Sequence, residues 1–402
     1  MKKITLILLI LSLFGCSTVQ SLTATPLEKA QYEEEFSRIN KEIDAAVVAA
    51  LQDFTIESSS LLLDDKNHVY SPLSFYLAMS MVLPMSENET KAQLEDFLNN
   101  QIVDLKMLET LQFNNEVGTL QLANSLWLQE DRDINMELMS SISKDYYVSI
   151  YPVNFKNKDA TSKKMNDWIN DMTNNFIKEV DVDISNDTVM SLINTIYLKD
   201  SWLVPLQKEN TKDMSFELGD GNSITVPFMS EEYAELAYLK RNEFQLVSKP
   251  LANGSQVHLV LPNGDLESLL NAETLETIVK HESNTAYVDL NLPKFDLDGD
   301  YSLIELSQSM GLTLPFDSNA SEIFPYNDRQ SVFITAIKQQ ARMAVDEDGV
   351  EAAAYTQVSF TDSAAPDYEH VSIAFDKPFL VLITSPQNIP LFISTVADPR
   401  GE

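Results

Sequence analysis

The chain has 402 residues, 44% apolar and 22% charged, which is enough to bury a sizeable core and too apolar for a disordered chain. Its 28 basic residues face 61 acidic ones, a net charge of −33 spread along the whole length, so nucleic acid and anionic lipid headgroups are poor partners. The four histidines, His68, His258, His281 and His370, share no metal-ligand spacing. The single cysteine, Cys16, excludes an intrachain disulfide. No metal or other cofactor is expected.

The N-terminus is basic at Met1-Lys2-Lys3, then apolar from Ile4 to Phe14 apart from Thr5 and Ser12, and ends in Gly15-Cys16. That run is too short to cross a bilayer as a helix and fits an export signal over residues 1–16. Leu13-Phe14-Gly15-Cys16 resembles the cleavage box of bacterial lipoproteins, which implies an exported, membrane-anchored protein lipidated on Cys16 and leaves open whether it faces the periplasm or the cell surface. Ser17 to Pro26 is polar and rich in Ser and Thr, a flexible tether. The remainder, 27–402, shows no internal repeat and no Gly/Ser- or Pro-rich divider, and reads as one domain.

From Leu27 to about Leu63 apolar residues recur at helical steps. Ser71-Pro72 is an N-cap followed by a first-turn proline, and the helix it opens is apolar nearly all round, hence buried, so that Ser74 and Ser80 need partners. Strand-like runs follow at Thr119 to Leu128, Val189 to Leu198, Ile224 to Phe228, Val257 to Leu261, Ala286 to Leu292 and Val332 to Val345. Helical stretches fall at Lys163 to Ile177 and Ser302 to Met310. Asp296-Leu297-Asp298-Gly299-Asp300 misses the spacing of a calcium loop and reads as a turn. Phe379 to Ile383 and Leu391 to Val396 form a hairpin buried on both faces. The fold class is α+β.

Between the strand ending at Val345 and that hairpin lies Asp346 to Pro366. At period two, Val350, Ala352, Ala354, Thr356, Val358 and Phe360 make an apolar or small face, while Glu351, Ala353, Tyr355, Gln357, Ser359 and Thr361 make a mostly polar one. Pattern alone describes an ordinary half-buried strand.

The chain resembles the serpins, from about Leu27 to Pro399. The motifs are Ser71-Pro72-Leu73-Ser74, Asn166-Asp167-Trp168 with Thr173 and Ile177, Asn194 to Trp202, Leu292-Pro293-Lys294-Phe295, Asp346 to Ala354, and Phe375-Asp376-Lys377-Pro378-Phe379-Leu380. The resemblance implies three β-sheets with about eight or nine helices, and a reactive-centre loop at about 347–370 held out of a large sheet. It implies an inhibitor rather than an enzyme. A serine-type protease attacks the loop, and the cleaved loop inserts as a new strand before the acyl-enzyme is hydrolysed.

In that reading Glu347, Gly349, Val350, Glu351, Ala352, Ala353 and Ala354 are the loop hinge: Gly349 bends freely, and the alanines enter a closing sheet with little bulk or entropy to lose. Val350 is apolar and β-branched, so its burial is favourable where a charge would stall insertion. Counting fourteen residues on from Gly349 places the reactive bond at Ser363-Ala364, with Ala364-Ala365 the alternative. No Lys or Arg occurs between Arg342 and Lys377, so trypsin-like enzymes lack their charged anchor, and the small side chains suit elastase-like or subtilisin-like enzymes.

By resemblance, Trp202 lies under the point where the loop enters the sheet. Ser71, Ser74 and Asn194 belong to the polar cluster that opens between the central strands, with Gln339 where serpins commonly carry His; Gln bonds both ways but cannot charge, so no pH switch is expected there. No basic cluster precedes Thr119, which argues against a heparin-type activator. A monomer is expected. The alternative is a non-inhibitory serpin-fold binding or chaperone-like surface lipoprotein. A serine hydrolase is disfavoured by the lack of Gly-x-Ser-x-Gly.

Overall fold

The computed structural model describes residues 25–30, 42–101, 103, 105–177, 182, 184–185, 187–351 and 367–401. Cys16, most of the tether, Ala352 to Ala354 and the bonds at Ser363, Ala364 and Ala365 lie outside the described residues.

The described residues form eight α-helices: α1 (Ala45–Leu62), α2 (Pro72–Ser80), α3 (Asn88–Phe97), α4 (Leu105–Leu111), α5 (Met136–Tyr146), α6 (Lys158–Met172), α7 (Ala272–Val279) and α8 (Ile304–Ser309). The strands are β1 (His68–Tyr70), β2 (Phe113–Asn115), β3 (Gly118–Gln129), β4 (Val148–Val153), β5 (Met190–Ser201), β6 (Lys212–Glu217), β7 (Ser223–Lys240), β8 (Phe244–Pro250) and β9 (Gln256–Pro262). They continue with β10 (Asn284–Pro293), β11 (Phe295–Ser302), β12 (Ile337–Val345), β13 (Gly349–Val350), β14 (His370–Ala374), β15 (Phe379–Thr384) and β16 (Pro390–Val396).

The expected first helix starts later than its periodicity suggests. Asp44 caps α1, its carboxylate accepting from the Ala46 amide at 2.8 Å. Leu27 and Glu28 instead meet the edge strand β4, Leu27 donating from its amide to the Ile150 carbonyl at 2.7 Å and Glu28 bridging Ile150. A free sheet edge accepts any backbone that reaches it, which overrides local helical preference. In α2, Ser71 caps as predicted, accepting from the Ser74 amide at 3.2 Å, and every residue is buried. Ser80 donates to the Tyr76 carbonyl at 2.8 Å.

A nine-stranded sheet runs β1-β16-β15-β9-β8-β7-β10-β14, with β6 on β7. Two of the three expected sheets are joined in it, because the 18-residue β7 continues from its β6 partner to its β8 partner, with Tyr233 at φ 53° along the way. The C-terminal hairpin β15–β16 is buried along its whole length.

The second sheet has seven strands in the order β11-β12-β13-β5-β3-β2, with β4 on β3. One face packs on the main core. Over the other lies α6, whose Met165, Trp168 and Ile169 meet Trp127, Tyr151 and Phe155 in a separate apolar cluster. Two expectations need correction here. Asp296 to Asp300 is part of β11, paired residue for residue with β12, because Gly299 backs directly on β1; a Cβ there would stand 2.1 Å from the Val69 carbonyl oxygen. The strand expected from Val332 begins only at Ile337, Val332 making a lone bridge to Ile323.

Candidate functional site

The central strands β5 and β12 are parallel, yet their backbones pair only at Ile337 with Leu192 and Lys338 with Ile193. The next step of that register would set Gln339 opposite Asn194, and no pairing is made there. Beyond that point the strands separate, and the far end of the gap is filled from the same chain. After β12 the backbone reverses, and β13 returns antiparallel to both neighbours, Val350 opposite Val345 and Asp200, Gly349 opposite Ser201.

The reversal is built by Asp346, whose carboxylate accepts from the amides of Asp348 at 2.8 Å and Gly349 at 3.2 Å. Gly349 has φ 153°, a backbone state closed to most side chains. Val350 is 3% exposed, packed into the main core. Glu351 then takes φ 46°, its amide donating to the Ala344 carbonyl at 3.0 Å.

Polar contacts pin this corner. Trp202, fully buried, donates from Nε1 to the Asp346 carbonyl at 2.8 Å and from its amide to the Asp348 carbonyl at 3.0 Å. Beneath its ring, 5.6 Å from the centroid, is the Lys249 ammonium, paired with Glu231 at 2.6 Å. Burial lowers the Lys249 pKa, and the Glu231 carboxylate opposes that shift. Glu347 is buried: its two carboxylate oxygens accept from Lys294 Nζ and Thr211 Oγ1, each at 2.7 Å. Burial acts to raise the Glu347 pKa, but those two hydrogen bonds outweigh it and hold the carboxyl below its usual range. Asp348 meets Lys208 at 2.8 Å on the outside.

At the closed end, Gln339 bonds Ser71 both ways, accepting from its amide at 3.0 Å and donating to its carbonyl at 2.8 Å, while Ser71 Oγ donates to the Leu391 carbonyl at 2.7 Å. Asn194 is not drawn into that group; it donates to the Asn124 side chain on β3, which donates in turn to the Tyr146 carbonyl. Ser74 Oγ, Asn194 Oδ1 and Thr195 Oγ1 are buried without a hydrogen-bond partner. Buried orphans of this kind mark places where a structure is not at its best-satisfied arrangement.

The arrangement accepts a strand. The described residues hold one buried Ser–His contact, Ser248 Oγ to His258 Nδ1 at 2.7 Å, with His258 Nε2 on Thr384 Oγ1 at 2.9 Å. Both residues are buried inside the nine-stranded sheet, and burial, with His281 adding to it, lowers the His258 pKa to about 3. No grouping of metal-binding side chains occurs among the described residues.

Sequence reasoning missed several members of the site. Lys294 and Tyr197 were visible in motifs but not as the partners of Glu347 and Glu351, and Thr211 and Lys208 carry no local signal. Tyr197 donates to Glu351 at 3.2 Å. Such partners come from distant strands, and only the sheet order brings them to one corner.

A sheet with a slot between parallel central strands, part-filled by a returning strand of the same chain, defines the class of strand-insertion proteins. A family profile described as "Serpin (serine protease inhibitor)" matches residues 49–399, and the chain belongs to the serpin family. Members of this family are generally protease inhibitors and not enzymes. Similar proteins include an alpha-1-antitrypsin-like protein of Tamias sibiricus, 25% identical with 98% of each chain covered, and human alpha-1-antichymotrypsin, 24% identical with 96% of each covered. A serpin-like protein of Methanosarcina acetivorans is 27% identical over 99% of this chain and 97% of its own. Among solved structures, the native state of the thermophilic serpin tengpin superposes with a TM-score of 0.80 at 26% identity, covering 94% of this chain and all of that one. Human thyroxine-binding globulin, solved in complex with thyroxine, shares the fold at a TM-score of 0.77 and 22% identity, covering 89% of this chain and 100% of its own.

Proposed function

We propose that this protein is a suicide-substrate inhibitor of serine-type endopeptidases that traps the acyl-enzyme by inserting its cleaved loop between β5 and β12. The observation that carries the reading is the seating of Gly349 and Val350 as an antiparallel strand in a slot whose walls otherwise pair at only two positions. Each further loop residue that follows Val350 would gain ladder hydrogen bonds on both sides and bury alternate small side chains.

The chemistry belongs to the protease. Its serine Oγ adds to the carbonyl carbon of Ser363, the bond to the Ala364 nitrogen breaks with a proton delivered to the leaving amine, and the loop is left esterified to the enzyme. Gly349 to Ser363 is fifteen residues, about 50 Å when extended. Full insertion carries the ester to the opposite end of the sheet and pulls it out of register with the oxyanion hole, so hydrolysis stops. Small residues at Ser363 and Ala364 direct the reading to elastase-like or subtilisin-like targets. We also propose that the mature domain is monomeric, exported, and tethered by residues 17–26 to lipid on Cys16.

Incubation of the mature domain with an elastase and with subtilisin, followed by denaturing electrophoresis, is the test. A covalent complex resistant to denaturant is expected. Clean loop cleavage with full protease activity remaining would overturn trapping and favour a binding protein. For the anchor, Cys16→Ser should move the protein from the membrane to the soluble fraction; continued membrane association would remove the lipidation proposal.

A further inference from the structure

The slot contains a group that its trapping role does not use. Glu351, the last described residue of the hinge, sets its carboxyl against Tyr197 on the β5 wall of the slot. Its Oε1 accepts from the Tyr197 hydroxyl on β5 at 3.2 Å, and its Oε2 is buried with no hydrogen-bond partner among the described residues. Phe176, just past α6, spans the mouth: its ring lies 5.9 Å from that of Tyr197 on one wall and 4.6 Å from the Arg342 guanidinium on the other. Arg342 also donates to the Phe176 carbonyl at 3.2 Å.

The charges facing Glu351 do not satisfy it. Arg342 on β12 is committed to Asp296 on β11 through bonds of 2.6 and 2.8 Å, Lys199 on β5 acts only through space, and Asp296 itself opposes an anion here. A carboxyl held this way is easier to bury neutral than charged. Burial accordingly raises the Glu351 pKa from 4.5 to about 7, with Tyr197, Lys199 and Arg342 only partly offsetting it.

We propose that Glu351 is a proton-operated latch, holding the hinge in the slot while its carboxyl is neutral and releasing it when the carboxylate forms. The proposal rests on the reading of Gly349 to Glu351 as the start of an inserting loop, and concerns the regulation of that loop. In a released hinge the carboxyl is in water and titrates at its ordinary value. The seated state therefore binds the proton more tightly. Seating is full below about 4.5, weakens roughly tenfold per pH unit up to about 7, and is level above that. Release exposes Gly349, Val350 and Glu351, lengthening the loop offered to a protease.

The test needs no protease. Amide hydrogen exchange of the peptide covering 345–351, corrected for the intrinsic pH dependence, is measured at pH 5.5 and pH 8, with tryptophan fluorescence followed over the same range because Trp202 lies under the hinge. Wild type should lose at least tenfold in protection at pH 8, and Glu351→Gln should show the same protection at both. Tyr197→Phe removes the only donor to the carboxylate among the described residues, so the loss should move to higher pH; a purely structural role would weaken protection equally at every pH. A pH dependence unchanged in Glu351→Gln, or none in wild type, overturns the latch. Should Glu351→Gln fail to fold, the direction of the Tyr197→Phe shift decides. A latch without protease trapping would leave this inference standing and remove the inhibitory reading; trapping without a latch would do the reverse.

Discussion

The strand β15 and the slot beside β12 are both central to their sheets, and they are built on opposite terms. β15 pairs with β9 on one edge and β16 on the other along nearly its whole length, and all six of its side chains are buried. β12 pairs fully with β11 on one edge and with β5 at only two positions on the other, the remainder of that edge being left to β13 and to buried polar atoms without partners. The first region is a finished core. The second is unfinished, and a strand placed there would gain ladder bonds and apolar burial.

Their titratable groups respond to pH with opposite signs. His258, inside the finished sheet, is held neutral with a pKa of about 3, so the unfolded chain binds the extra proton and stability falls as pH drops below about 6.5. Glu351, in the slot, has its pKa raised, so seating is lost as pH rises.

Six perturbations test this contrast, in descending order of effect. Val350→Arg should abolish trapping outright: a buried cation with no partner blocks insertion, and a denaturing gel should show cleavage and no complex. A persisting complex would mean that trapping does not require Val350 to stay in the sheet.

Leu382→Ala in β15 should cost about 2–5 kcal/mol in both intact and loop-cleaved protein, measured by denaturant unfolding. Val350→Ala removes a side chain already buried in the intact protein, so it should weaken both forms, and the cleaved form more because there the residue would stand in a full strand. Equal losses in the two forms at both sites would erase the distinction.

Lowering pH below about 6.5 should destabilise the fold with a His258 contribution of about 1.4 kcal/mol per pH unit toward pH 3, and His258→Gln should flatten that slope in melting curves. Smaller still, Lys294→Ala strips the cation from buried Glu347 and should cost about 1 kcal/mol, since Lys294 is itself part-exposed and screened. Lys208→Ala, on the outer Asp348 pair, should leave the melting temperature unchanged, and any measurable drop would mark that pair as part of the hinge support.

Most of the sheet strands were legible because their apolar runs are long and their alternation clear. So was α2, whose cap and first-turn proline are local signals. The errors had tertiary causes. Leu27 and Glu28 were captured by the open edge of β4, and the acidic run Asp296 to Asp300 was straightened by close packing of Gly299 on β1. Of the site, Gly349 and Val350 stood out by type and position, but their ion-pair supports did not.

The sequence by itself determined the family, the apolar C-terminal hairpin, the glycine at the bend and the small residues that follow it, because these depend on residue type and order. The tertiary structure decided that β5 and β12 part beyond Lys338, that the hinge already occupies the far end of the slot, and that Glu351 meets Tyr197 under Phe176. Those facts depend on which distant strands become neighbours, and the desolvation that shifts a pKa or leaves an oxygen unpaired exists only once they do.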